Sequence, residues 1–240
     1  MRPAASSLGL LPATEPAADY QVRIFTQVGE LPFAGHPTLG TCHAWLEAGG
    51  RPRDPQRIVQ QCPAGLIAIR PIDGVLAFEA PPVVRAGPVA AADLERIVRV
   101  LGISRDDIID SRWVDNGPGW VAVMLESASA VLELRPTGDG EHIDIGIVGP
   151  YPDGAECAYE VRAIFTNDRR EVMEDPVTGS LNASVAQWLV GTGRVTPPYI
   201  ASQGTALGRA GRPRISQDED GAIWVAGATR SIVSGEVDVE

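Results

Sequence analysis

Along the 240 residues, apolar positions fall mostly in short runs that alternate with polar ones or are dense in Val, Ile and aromatics. The runs are Val22–Thr26, Arg57–Cys62, Leu66–Ile72, Val75–Glu79, Trp120–Leu125, Ile143–Val148, Tyr159–Thr166 and Ile223–Ala226. Gly, Pro or Asp bounds them, and that pattern predicts strands. The period changes at Leu94, Ile97, Val98 and Leu101, which share one face at i, i+3, i+4, i+7 and predict a helix over Ala91–Leu101. Thr38–Glu47 and Gly179–Val190 read as two further helices, and Ser127–Leu134 as a shorter fourth. The 26 Gly and 20 Pro are dispersed and act as turn punctuation, with Gly204, Gly208 and Gly211 read as turns between strands. The balance is α+β with strands dominating.

One pattern occurs twice. The first copy runs Arg23-Ile-Phe-Thr26, then Glu30-Leu-Pro-Phe-Ala-Gly35-His36-Pro37, then a helix with Trp45 and Leu46. The second runs Arg162-Ala-Ile-Phe-Thr166, then Glu174-Asp175-Pro176-Val-Thr178-Gly179-Ser180, then a helix with Trp188 and Leu189. Aligning Pro37 with Pro176 sets His36 against Asp175 and Gly40 against Gly179. A duplicated unit of this kind predicts two similar halves, each wrapped around one central helix.

The repeated loops carry the candidate chemistry. A polar residue precedes a Pro that opens a helix, where its missing N–H costs nothing. Glycine beside it lets a ligand approach the backbone closely. Free first-turn N–H groups and the helix dipole then favour an anion. Asp175 and His36 supply one proton carrier from each half, suited to acid/base transfer at carbon without a metal or other cofactor. Ser180 adds a hydroxyl at the second helix start, and Thr41 is the candidate at the first. Asp175 also fits a plain N-cap, and His36 a hydrogen-bonded loop histidine. Equivalent placement in two repeats favours function for the pair. His43 reads as structural and His142 as solvated, and the three histidines form no metal pattern.

Composition narrows the classes. There are 31 acidic residues against 20 basic, for a net charge of −11, and every basic residue is arginine. Lacking lysine, the chain cannot form a lysine Schiff base, attach pyridoxal phosphate or build a P-loop. The acidic balance argues against nucleic acid as a partner. Cys42, Cys62 and Cys157 are scattered and read as buried thiols of a cytoplasmic protein. No apolar run approaches a membrane span. Neither a G-x-S-x-G elbow nor a dinucleotide fingerprint is present.

Four stretches together resemble the PhzF-like phenazine biosynthesis family of the diaminopimelate epimerase superfamily. They are Arg23–Gly40, Trp113–Trp120, Glu174–Ser180 and Ser202–Arg209. The resemblance runs from about Ala17 to the C-terminus. It implies two pseudo-symmetric halves, each a strongly curved, mostly antiparallel sheet around a central helix. Residues 1–110 with about 229–240 would form one half and 111–228 the other, with the active site in the cleft between them. It also implies a homodimer and a cofactor-independent isomerase acting on a small carboxylate-bearing metabolite. Asp175 and His36 would be catalytic; Gly35, Gly179, Ser180, Thr178, Asn116 and Gln203 would bind substrate. Superfamily epimerases place two cysteines at the helix starts, where this chain has His36 and Asp175.

The resemblance departs at the N-terminus. Family members open with a strand, a Gly-Asn-Pro loop and a helix, leading to a Ser-Glu-Thr segment whose Glu is the principal acid/base. Leu10-Leu11-Pro12 matches the strand after it, which puts Ser6 or Ser7 at the place of that Glu. The opening strand and helix have no counterpart, so the expectation is either a sequence that starts late or an N-terminally shortened member. The alternative function is then a homologue that binds a metabolite, or templates a cyclisation, without family-type isomerisation.

Overall fold

A computed structural model describes residues 7–26, 29–167 and 169–236. Ser6 lies outside the described residues, as does the side chain of Ser7. In chain order the first elements are β1 (Ser7–Leu11), β2 (Tyr20–Phe25), β3 (Glu30–Leu31), α1 (Gly35–Glu47), β4 (Ile58–Cys62), β5 (Gly65–Ile72) and β6 (Val75–Glu79). Then come β7 (Arg85–Gly87), α2 (Ala91–Leu101), β8 (Asp110–Asp115), β9 (Val121–Met124), α3 (Ala128–Glu133) and β10 (Asp144–Pro150). The last are β11 (Tyr159–Thr166), β12 (Val172–Asp175), α4 (Gly179–Gly191), β13 (Tyr199–Gln203), β14 (Arg214–Gln217) and β15 (Ile223–Gly227).

The strands form one open mixed sheet in the order β1-β2-β4-β5-β6-β15-β14-β13-β11-β10-β9-β8-β7. β3 pairs with β2 and β12 with β11, off this path. Most neighbours are antiparallel. β2–β4, β9–β10 and β11–β13 are parallel, and each is reached through a helix, α1, α3 or α4. A parallel neighbour requires such a crossover. β15 hydrogen-bonds β6, so residues 223–227 carry the chain back to the first half.

Two units therefore repeat as strand, hairpin partner, helix, parallel strand: β2-β3-α1-β4 and β11-β12-α4-β13. Hairpin register fixes how they superpose. Phe25 pairs with Glu30 and Ile164 with Glu174, so Glu30 corresponds to Glu174. From there Glu30-Leu-Pro-Phe-Ala-Gly35-His36 runs residue for residue beside Glu174-Asp-Pro-Val-Thr-Gly179-Ser180. This corrects the alignment drawn from sequence. Pro32, not Pro37, is the counterpart of Pro176, Gly35 is the counterpart of Gly179, and His36 is the counterpart of Ser180. Asp175 stands where the first half has Leu31.

The two helices differ in setting from α2. α2 is amphipathic and buries Leu94, Ile97, Val100 and Leu101, ending at Gly102 in the left-handed region (φ 68°). α1 and α4 show no such stripe because they are packed on more than one side. On α4, Ala183 and Ala186 join the core that Leu39 and Cys42 of α1 form with Val22, Ile24, Ile69 and Phe78. Its other face, with Leu181, Val185, Trp188 and Leu189, packs on Trp120, Ala122, Val161 and Ala163. Each half keeps its central helix, and α4 also contributes Ala183 and Ala186 to the core around α1. Leu181 and Leu189 are fully buried, each worth about 2 kcal/mol of transfer free energy.

Candidate active site

The repeat brings two helix starts face to face. A Cβ built on Gly35 would fall 2.6 Å from Gly179 Cα, and one built on Gly179 would fall 2.6 Å from Gly35 Cα. Only glycine permits this approach. Neither N-cap, Ala34 or Thr178, makes a side-chain capping bond. The first intrahelical bonds are Thr38 N to Ala34 O and Asn182 N to Thr178 O. Donors ahead of these have no acceptor within their helices, and Pro37 has no N–H to leave unpaired. The junction therefore concentrates free N–H groups and two positive dipole ends.

Asp175 closes β12 beside this junction. Its Oδ2 accepts from Thr178 Oγ1 at 2.7 Å, so the Thr178 hydroxyl orients the acid instead of capping α4. Burial raises the Asp175 carboxyl above the usual aspartate range, opposed by the Thr178 hydrogen bond and the nearby His36. His36 is exposed at the second position of α1. Ser180 is buried at the second position of α4. Trp120 Nε1 donates to Ser180 Oγ at 3.2 Å, which leaves the Ser180 hydroxyl hydrogen for another acceptor.

The structure gathers Gly35, His36, Asp175, Thr178, Gly179 and Ser180 in one place. Asn116 supports it from behind: its Nδ2 donates to Ser180 O at 2.9 Å, and its Oδ1 is buried without a hydrogen-bond partner among the described residues. Gln203 is fully buried, and its amide is occupied by protein groups. Oε1 accepts from Thr178 N at 2.9 Å and Asn182 Nδ2 at 2.6 Å. Nε2 donates to Asp175 O and Thr178 Oγ1, both at 3.0 Å. Gln203 therefore clamps the loop that holds Asp175. Thr41 does not reach the helix start; its hydroxyl is buried and bonded to Pro37 O inside α1.

Sequence reasoning missed Arg162 and Glu174, a buried bidentate pair at 3.1 and 2.8 Å that fixes β12 to β11 just before Asp175. Their spacing across the hairpin, repeated by Arg23 and Glu30 at 2.9 and 2.7 Å, was the available signal. Gly211 is likewise more than a turn. A Cβ there would fall 2.3 Å from Val177 Cγ2 and 2.8 Å from Gln203 O, so glycine lets the 204–211 loop press on the Asp175 loop.

The remaining candidates lie apart. His43 approaches Glu47 at 3.3 Å along α1, and exposed His142 meets Asp144 at 2.6 Å. The three cysteines are free and buried, and burial pushes the Cys42 thiol up to about 11. Among the described residues, no group of three or more His, Cys, Asp or Glu could hold a metal ion. Nor is any helix long and apolar enough to cross a membrane.

Comparison with known proteins agrees with this architecture. The family described as phenazine biosynthesis-like protein matches residues 6–235. Antisense-enhancing sequence 1 of Schizosaccharomyces pombe is 29% identical over 243 residues, covering 91% of this chain and 79% of that protein. The trans-2,3-dihydro-3-hydroxyanthranilate isomerase of Pseudomonas chlororaphis is 36% identical over 201 residues, covering 80% of this chain and 68% of that protein. A predicted epimerase from Pseudomonas aeruginosa superposes with a TM-score of 0.71 at 24% identity, covering 92% of this chain and 80% of that one. The chain thus belongs to the phenazine biosynthesis-like family, as an isomerase-type enzyme on an α+β, diaminopimelate epimerase-like fold.

Proposed function

We propose that the enzyme moves a proton between carbons of a small carboxylate-bearing metabolite, with Asp175 and His36 as its acid and base. The observation that carries this reading is a half-buried acid, oriented by Thr178 and close to His36, beside two uncapped helix starts. His36 takes a proton from one carbon, and Asp175 delivers one to another. Atoms balance as an isomerisation, and exchange with solvent resets the two groups. First-turn N–H groups of α1 and α4, with the Ser180 hydroxyl, hold the carboxylate and the negative charge that develops beside it. Gly35 and Gly179 let the substrate reach that backbone. No step in this scheme calls on a metal or other cofactor, and a homodimer is the proposed assembly.

The name of the 36% identical relative makes trans-2,3-dihydro-3-hydroxyanthranilate the first compound to test. In deuterated water, wild type is expected to place deuterium in the product, Asp175→Asn to stop it, and His36→Ala to weaken it more than His43→Ala. Undiminished incorporation by Asp175→Asn would sink the role given to Asp175.

A further inference from the structure

Glu160, the second residue of β11, is completely buried. Val161 and Ala163 face the α4 core, so alternation turns Glu160 and Arg162 to the opposite side of the sheet. There the two differ. Arg162 is paired with Glu174, whereas Glu160 forms no ion pair among the described residues. Its Oε2 accepts from Tyr151 OH at 2.8 Å and from Thr205 Oγ1 at 3.2 Å. Its Oε1 is buried without a hydrogen-bond partner among the described residues. Such a carboxyl group is costly, because burial strips its water and the vacant oxygen recovers nothing. An apolar residue of similar size would burden the fold less, so stability does not explain the acid.

The bonds of Glu160 lead to one loop. Thr205 has a single hydroxyl hydrogen, and it goes to Glu160, so Ser202 is the donor in the 3.1 Å contact between Ser202 Oγ and Thr205 Oγ1. Ser202 Oγ in turn accepts from Arg212 Nη1 at 3.1 Å. The chain runs from the Arg212 cation through two hydroxyls to the buried carboxyl group, each bond polarising the next. Ser202, Thr205 and Arg212 stand at the two ends of the 204–211 loop. Gln203 and Gly211 close that loop with reciprocal backbone bonds at 3.2 and 3.0 Å, and Arg209 N donates to Gly204 O at 2.9 Å. The loop bears directly on the one that holds Asp175. Gln203 Nε2 donates to Asp175 O at 3.0 Å, and a Cβ on Gly204 would fall 2.6 Å from Pro176 O.

We infer that Glu160 is a positioning residue: it anchors both ends of the 204–211 loop and, through that loop, fixes the place of Asp175 at a cost in stability. This rests on the proton-transfer reading for the role of Asp175 and adds the device that keeps that acid aimed. A polar group kept where an apolar one would be more stable is the pattern expected of a residue retained for function.

The test follows loop and chemistry separately in the full-length protein. Amide hydrogen exchange reports on Gln203, Arg209 and Gly211, and deuterium incorporation into product reports on turnover. Glu160→Leu is expected not to lower the urea midpoint, yet to speed exchange at those amides at least about tenfold. It should lower kcat about tenfold with KM changed by less than about threefold. The limb of the pH profile that follows Asp175 should move to lower pH, because a loosened loop admits water to that carboxyl group. Glu160→Gln, which keeps an acceptor for both hydroxyls, should recover part of the loss. Thr205→Val cuts the chain at an exposed residue and should reproduce these effects even if Glu160→Leu does not fold. Glu156→Gln, at an exposed acid ahead of β11, should change none of them. Wild-type exchange rates in Glu160→Leu and Thr205→Val overturn the anchoring, whatever the chemistry of the enzyme. Faster exchange with kcat and pH profile unmoved overturns the link to Asp175. The proton-transfer reading fails by a different result, undiminished incorporation by Asp175→Asn.

Discussion

Residues 30–36 and 174–180 follow one backbone plan and carry different chemistry. In both, a Glu paired to an Arg on the hairpin partner precedes Pro, two residues and a helix-starting Gly. The first half then has Leu31, Ala34 and His36 where the second has Asp175, Thr178 and Ser180. Side-chain exposure differs as sharply: 47% and 29% for Arg23 and Glu30, against 5% and 9% for Arg162 and Glu174. The shared plan explains the anion-friendly junction, which needs only backbone and glycine. The differences put half-buried Asp175 in one half and exposed His36 in the other. On the proposed reading, the two halves of a two-fold scaffold carry unlike proton carriers because Asp175 has no polar counterpart.

The sharpest way to break this comparison is to exchange the unlike residues. Asp175→Asn is expected to lower deuterium incorporation by about 10²–10⁴-fold, and Leu31→Ser to change it by less than about threefold. Equal losses would mean that the acid was assigned to the wrong half. The pH dependence has a definite sign. Burial raises the folded-state pKa of Asp175 above its unfolded value. Its stability contribution is then complete below the ordinary aspartate range and is lost as pH rises through the raised value. Urea midpoints of wild type should fall relative to those of Asp175→Asn across that window. An inactive variant that becomes relatively more stable toward neutral pH is the signature of a strained catalytic acid.

Next in size are the two Arg–Glu pairs. Removing one partner of a buried pair strands a charge, so Arg162→Met should cost about 3–5 kcal/mol in denaturant unfolding. Arg23→Met removes a solvent-exposed pair and should leave the midpoint within error. Loss of the Arg162 pair also frees β12, so turnover should fall with stability. If the two variants unfold alike, the repeat is symmetric in energy as well as in backbone.

Much of the scaffold was legible because long elements impose a period. Val75–Glu79, Tyr159–Thr166 and Ala91–Leu101 end where the pattern ends. β3, β7 and β12 have two to four residues, too few to show alternation, and become strands only through their partners. That is why the repeat was aligned on the wrong proline. His36-Pro37 and Asp175-Pro176 look alike as dipeptides, yet Pro37 lies in the first turn of α1 and Pro176 lies before α4. The pairings of Phe25 with Glu30 and Ile164 with Glu174 decide the register, and they are long-range facts that local pattern does not contain. The loops that carry the candidate residues were legible because glycine, proline and polar residues punctuate loops for identifiable reasons. Gln203 stands out in its motif, but only three-dimensional packing shows that its amide faces protein.

Gln203 supplies the smallest and most discriminating test. Register puts Gln203 opposite Val161 in β11, and carrying the β2–β4 register one residue past Gln61 puts Cys62 opposite Val22 in the corresponding place. The Cys62 thiol makes only a weak hydrogen bond to Gly65 O at 3.5 Å, whereas the Gln203 amide makes four bonds to Asp175, Thr178 and Asn182. Gln203→Leu leaves Asp175 O, the Thr178 N–H and the Asn182 amide without that partner, which costs about 1–3 kcal/mol for each group left unpaired. Because the Gln203 amide is taken up by protein groups, the expected kinetic signature is a fall in kcat of about tenfold. It should come with a shifted pH profile, as Asp175 loses its fixed orientation, and partial rescue by Gln203→Glu, which retains the acceptor. Cys62→Ala should cost about 1 kcal/mol or less and leave the pH profile unmoved. A Gln203→Leu variant that loses stability but keeps the wild-type pH profile would reduce Gln203 to a packing residue and return the orientation of Asp175 to Thr178 alone.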